Sequence, residues 1–225
     1  MASLPILVLL PPSEGKAEGG KANTKWSVDS GATGNRISAS RRAVAAAYVK
    51  HGGARVVGAP TLPAYERYTG VVWKHLDLAS ISAQDRREAS KKIFVVSGLL
   101  GLVRGDDQIP YYKLKMSARL GPVGSLTKFW LPELTEAVVR LGAKHIIVDL
   151  LPNEHRAAID WSNVSNHMRV DLVAKSGGRV GGHDAKAAKG TLARHILTGD
   201  ADAAVLMRTF KHPVYRAEIY TPRGK

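Results

Sequence analysis

Four short clusters hold most of the residues able to do chemistry. Ser13-Glu14-Gly15-Lys16 offers a hydroxyl, a carboxylate and an amine around a glycine. A lysine and backbone amides in that order could cradle a phosphate where a strand ends. Overlapping it, GKAEGGK at Gly15–Lys21 nearly spells a phosphate-binding loop, but Ala22 stands where a magnesium-ligating hydroxyl belongs. A backbone-lined anion site therefore fits better than nucleotide hydrolysis, and a plain surface loop is the bland alternative. Tyr68-Thr69-Gly70 and then Trp73 offer aromatic faces beside Arg67 and Lys74, a pattern suited to stacking on unpaired bases. Tyr68 is the better candidate because it adjoins the glycine turn; Trp73 reads as packing. Ser97-Gly98 with Gly101 suggests a tight hairpin whose amides could approach a phosphate. Arg104, Lys113, Lys115 and Arg119 follow, with Tyr111 and Tyr112 among them and Asp106 and Asp107 opposing them in a turn. Bases around two tyrosines make this the best single nucleic-acid patch. Glu154 and His155 could form a general acid/base pair, or Glu154 could simply neutralise nearby lysines.

The elements that must position these groups are partly legible. Leu4–Leu10, Lys92–Val96 and His145–Leu150 are continuous apolar runs, the pattern of strands buried on both faces of a parallel sheet. Each runs straight into one of the polar clusters. If the three are parallel neighbours, their carboxyl ends build one crevice, where open α/β sheets bind ligands. Helical signals cover Ala39–His51 and Ser82–Lys91, with Ser82 as N-cap, and Pro132–Leu141, with proline in its first turn. Asp184–Leu197 is a further helix, with Ala185, Ala188, Leu192 and Ile196 on one face. Lys186, Lys189 and Arg194 are expected to point away from that face. Gly15–Gly34 reads as a long mobile loop, extending to about residue 36. The expected fold is α/β, a single compact domain over residues 1–225 with a mixed sheet flanked by helices.

Charge is the strongest compositional signal. The 225 residues hold 33 Lys and Arg against 19 Asp and Glu, a net charge of +14 spread along the whole chain. Such a surface draws polyanions through counterion release and long-range steering. There is no cysteine, which excludes disulfides, a Cys-ligated zinc and a thiol switch for peroxide. The histidines show no ligand spacing, so no metal site and no cofactor are expected. The opening apolar run is too short to span a bilayer and lacks the flanks of a signal peptide. No membrane association is expected, and the cytoplasm is the default location.

Six motifs lie along the chain. They are LLPPSEGK at the N-terminus, YERYTGVVW at Tyr65–Trp73 and SGLLGLVRGDDQIPYYKLKMS at Ser97–Ser117. FWLPEL at Phe129–Leu134, VDLLPNEH at Val148–His155 and HDAKAAKGTLARHIL at His183–Leu197 complete the set. Together and in this order they resemble the peroxide stress resistance protein YaaA family. The resemblance implies a compact α/β fold with a positively charged cleft and a helix-hairpin-helix-like element. It also implies binding of duplex and distorted DNA and protection during peroxide stress. Lys115 and His155 depart from the family pattern, and the added Lys115 charge favours a polyanion.

Two functions are compatible with these residues. One is a DNA-binding stress protein of low sequence specificity, gripping phosphates through Lys16, Arg104, Lys113, Lys115, Lys186, Lys189 and Arg194, with Tyr68 or Tyr112 stacking on bases. The other is an enzyme acting on a nucleotide, nucleoside or other small anion, its site built from Ser13, Lys16, Tyr68, Glu154 and Lys189.

Overall fold

The computed structural model describes residues 4–176 and 182–220. The chain begins with β1 (Ile6–Leu10), β2 (Lys21–Lys25), α1 (Ser38–Lys50), β3 (Pro60–Pro63), α2 (Ala64–Arg67), α3 (Val71–Leu76) and α4 (Ala83–Lys91). The middle holds β4 (Ile93–Ser97), β5 (Gly101–Arg104), β6 (Gln108–Pro110), β7 (Arg119–Leu120), β8 (Gly124–Ser125) and α5 (Leu126–Gly142). Then come β9 (Ile146–Asp149), α6 (Asn153–Arg156), β10 (His167–Ala174), α7 (His183–Thr198), α8 (Ala203–Thr209) and β11 (Tyr215–Tyr220).

Six strands form a mixed sheet in the order β11-β10-β9-β1-β4-β5. The apolar run of β1 lies in its middle, parallel to β9 on one side and to β4 on the other. Val8, Leu9 and Leu10 are wholly buried, as are Ile93, Val95 and Val96 of β4 and Ile147 and Val148 of β9. Each buried leucine or valine contributes about 1.5–3 kcal/mol, so this register is strongly specified. β5 and β11 close the edges antiparallel. Helices flank the sheet, α5 against β5 and β9, α4 against β4, α7 against β10. Among the described residues no helix is long and apolar enough to cross a membrane.

Three local expectations need correction. The stretch Gly15–Gly34 is more than a loop: it contains β2, which pairs with β3 in a separate three-stranded sheet. The buried guanidinium of Arg67 holds that stretch by donating to the carbonyls of Ala17 and, at 3.0 Å, Gly19. Second, α5 starts at Leu126, six residues before Pro132, which lies inside the helix. Burial of Leu126, Trp130 and Leu134 along one stripe outweighs the missing proline N–H. Third, the Ser97–Leu100 hairpin is buried, with Gly98 pressed on the Lys115 carbonyl so that a Cβ there would lie 2.9 Å from it. The Leu100 amide of this turn donates to Ser97 Oγ at 3.1 Å.

Candidate functional site

Two adjoining cavities open at the carboxyl ends of β1 and β9. One, of about 480 Å³, is lined by Ser13, Glu14, Lys16, Lys113, Lys115, Ser117, Glu154 and His155. The other, of about 600 Å³, shares Ser13, Glu14, Glu154 and His155 and adds Gly70, Trp73, His183, Lys186 and Lys189. Together they form one cleft at the place in the sheet where the crevice was expected.

The loop after β1 is tied to the α2–α3 turn. The Thr69 amide donates to Ser13 Oγ and to the Gly15 carbonyl, each at 3.1 Å, while Ser13 Oγ itself donates to Gly15 O. Gly70 is needed for this closeness: a Cβ there would sit 2.6 Å from Ser13 Cβ. Lys16 pairs with Tyr68 in an isolated β-bridge, and its ammonium donates to the Ser13 carbonyl at 2.5 Å. That ammonium rests 4.3 Å from the Tyr112 ring centroid and 5.5 Å from that of Tyr68. Beneath it, the hydroxyls of Ser97, Tyr112 and Tyr68 form a buried chain with 2.7 Å links. The end of β4 thus reaches the cleft only indirectly, through this chain.

On the opposite wall, Lys189 of α7 donates to the Leu150 carbonyl just past β9, at 2.6 Å. Gly190 beside it lets α7 lie against α3, since a Cβ there would meet the Val72 carbonyl at 2.2 Å. Burial draws both Lys16 and Lys189 down to about 8, partly offset by Glu14 for the first and Asp149 for the second. Burial also lowers His155, with Glu154 opposing the shift. The rim is ordinary surface: Lys113, Lys115 and Lys186 are exposed. Lys115 pairs with Glu14 at 2.7 Å, and Glu154 accepts the Ser117 amide at 3.0 Å. Behind the cleft, buried Asp149 accepts from Arg156 at 2.7 Å, the Leu151 amide at 2.8 Å and His167 at 3.3 Å. Among the described residues no group of three or more His, Asp or Glu is arranged to hold a metal ion.

The fold therefore brings together Ser13, Lys16, Lys113, Lys115, Glu154, Lys186 and Lys189. It leaves others out. Arg104 pairs across from Phe94 at the opposite end of the sheet, where Asp106 holds it at 2.5 Å. Arg194 faces α3, donating to the carbonyls of Leu76 and Asp77. Tyr68 and Tyr112 are 2% and 1% exposed, so no base can stack on them while the hydroxyl chain holds. Lys189 does not point away from the apolar face of α7: it stands four residues after Ala185 and three before Leu192, a spacing that puts it beside that face. Ser117 and His183 line the cleft without having been singled out. His183 opens a helix after a glycine, a signal that could have marked it; Ser117 had none.

The sequence model of the family described as "Peroxide stress protein YaaA" matches residues 7–219. The chain is 30% identical to a UPF0246 protein of Streptomyces coelicolor, over 96% of this chain and 94% of that one. It is 32% identical to a UPF0246 protein of Porphyromonas gingivalis, over 73% of this chain and 64% of that one. A match that spans the central sheet, both walls of the cleft and nearly every described residue has one reading: the chain belongs to the peroxide stress protein YaaA family.

Proposed function

We propose that this protein serves in the response to peroxide by binding DNA through the cleft at the carboxyl end of its sheet, with little sequence specificity. One observation carries the reading: five lysines (Lys16, Lys113, Lys115, Lys186 and Lys189) line the joined cavities against two carboxylates, Glu14 and Glu154. Lysines that outnumber their carboxylate partners attract phosphate, and counterion release then supplies affinity that base identity does not alter. The short helices α2 and α3, joined through Tyr68-Thr69-Gly70, are where the helix-hairpin-helix-like element belongs in this proposal. Binding of duplex DNA, followed by fluorescence anisotropy over a salt series, should give a log–log slope of about −4, from four to five phosphate contacts. A flat response removes the reading.

A second reading is favoured by the two recessed amines. Charge steering alone does not need lysines withdrawn from water, and a site for chemistry often contains them. In this version the cleft acts on a nucleotide, nucleoside or other small anion, with Ser13, Lys16, Glu154 and Lys189 as its working groups. Tyr68 would support them from within the hydroxyl chain. Thermal shift against mononucleotides separates the two readings: stabilisation that vanishes in Lys16→Ala while DNA affinity persists selects the second.

A further inference from the structure

Lys16 is poorly suited to the task that charge alone would give it. The exposed ammoniums of Lys113, Lys115 and Lys186 already supply what a phosphate needs. Lys16 is recessed, and its backbone is fixed by the bridge to Tyr68 and by the Ala17 amide donating to Arg67 O at 2.9 Å. Among the described residues no carboxylate lies within ion-pair distance of it; its one acceptor is the Ser13 carbonyl. Arg67 and Lys113 are close enough to disfavour its charge. Against them, Glu14, the Ser13 carbonyl and two tyrosine faces favour the cation, but burial outweighs them. A fixed, desolvated amine beside other cations is the environment that turns lysine from a charge carrier into a nucleophile.

We propose that Lys16 captures carbonyl compounds: its amine forms an imine with an aldehyde that lies close to a phosphate, while Lys113 and Lys115 hold that phosphate. The inference rests on the cleft being a phosphate site. The chemistry it names is an aldehyde beside a phosphate, supplied either by a nucleic acid sugar that has lost its base and opened, or by a free sugar phosphate.

The step balances. The neutral Lys16 nitrogen adds to the carbonyl carbon, and a proton passes from nitrogen to the new alkoxide, giving a carbinolamine. The carbinolamine hydroxyl then leaves with a proton from solvent, replacing the one Lys16 gave up to become neutral, so that water departs and a protonated imine remains. Lys113 and Lys115 keep their charge on the phosphate, and the new positive charge sits on the imine nitrogen. No oxidant or reductant is consumed. With Lys16 drawn down to about 8, roughly one molecule in ten carries the free amine near pH 7, against fewer than about one in a thousand for an ordinary lysine.

The test is reductive trapping on the whole chain, followed by peptide mapping by mass spectrometry. Three probes are incubated separately with sodium cyanoborohydride: a duplex oligonucleotide containing an abasic site, ribose 5-phosphate, and the same duplex intact. The expected result is one adduct on the Lys16 peptide, at least about tenfold above any other lysine, from a carbonyl probe and not from the intact duplex. Which carbonyl probe labels identifies the source. The trapping rate should rise with pH, reach half its maximum near 8 and level off above it, where a solvent-exposed lysine would keep rising, and Lys16→Arg should lose the adduct. No adduct from either carbonyl probe, or labelling spread over Lys113, Lys115 and Lys186, overturns the proposal. Affinity for the intact duplex is measured in parallel. Salt-dependent binding without an adduct sinks carbonyl capture alone. No salt-dependent binding sinks the DNA reading, whereas a Lys16 adduct from ribose 5-phosphate would then support capture of a small substrate.

Discussion

The mouth of the cleft and the framework behind it use positive charge in opposite ways. In the framework, each arginine has its partners fixed by the fold. Arg41, wholly buried, donates to the carbonyls of Val28, Ser30, Leu100 and Leu102 and to Thr33 Oγ1. Arg104 is held by Asp106, Arg140 by Glu136 and Arg156 by Asp149. At the mouth the cations are lysines, and of these only Lys115 has a carboxylate partner among the described residues. Rigid forks tie backbone together, while flexible point charges stay available to a ligand. A net charge of +14 is thus a poor guide by itself. What matters is how much of it the fold has left unspoken for.

If this division is right, substitutions in the framework should damage stability and those at the mouth should damage binding. The largest effect belongs to Arg41→Ala. It removes the guanidinium from four carbonyls, leaving that of Leu102 with the Thr33 hydroxyl at 3.0 Å, and should cost about 4 kcal/mol in urea unfolding. Next is Asp149→Asn, at about 3 kcal/mol near neutral pH, because Arg156 loses its close, buried partner at 2.7 Å and keeps only Asp171 at 3.7 Å. Burial raises Asp149, but hydrogen bonds from His167 and Arg156 more than offset this and hold it below the usual carboxylate range. A carboxylate lowered on folding stabilises above its ordinary value and loses that contribution as pH falls through the folded value. Wild-type stability should therefore decline steeply below about pH 4 while Asp149→Asn declines less, as acid titrations of unfolding would record. Equal acid slopes would remove Asp149 from the framework.

The mouth should behave in reverse. Replacing Lys113, Lys115 and Lys186 together by alanine removes three exposed ammoniums. It should reduce the salt slope for DNA by about 3 and lower affinity by about ten- to a hundredfold, with unfolding nearly unchanged. A smaller effect, and a sharper one, is expected from Tyr112→Phe. It cuts the hydroxyl chain between Ser97 and Tyr68, and should cost about 1–2 kcal/mol of stability. Its effect on DNA affinity should be slight, because the ring is buried. A large loss of affinity without loss of stability would restore Tyr112 to the role of base-stacking platform.

How much of this was legible in the sequence follows from the same division. The three central strands were readable because a strand covered on both faces must be continuously apolar. The cleft followed from them, since Ser13-Glu14-Gly15-Lys16 and Glu154-His155 come directly after β1 and β9. The fate of individual charges was not readable. Nothing in the run from Arg104 to Arg119 says that a hairpin turns Arg104 to the far end of the sheet while Lys113 and Lys115 go on to the mouth. Tyrosine beside glycine reads alike whether it faces solvent or a buried hydroxyl chain. Lys189 was recoverable: its spacing from Ala185 and Leu192 marks the apolar side of α7, and a long aliphatic stem can follow that side to a polar tip.

Arg104→Ala is the smallest expected effect and the most direct test of the comparison. Local sequence made Arg104 a phosphate contact, clustered with Lys113 and Lys115. The fold pairs it with Asp106 and sets it beside Phe94, at the end of β4 away from the cleft. The pair is partly exposed, so its loss should cost only about 0.5 kcal/mol. At physiological salt, a charge more than about 8 Å from the ligand is largely screened. Arg104→Ala should therefore change DNA affinity by less than about twofold and leave the salt slope unchanged. A slope that falls by about one, as for the loss of a phosphate contact, would mean that DNA wraps beyond the cleft to the far end of the sheet. The partition between framework arginines and cleft lysines would then be wrong at the residue where it is most easily checked.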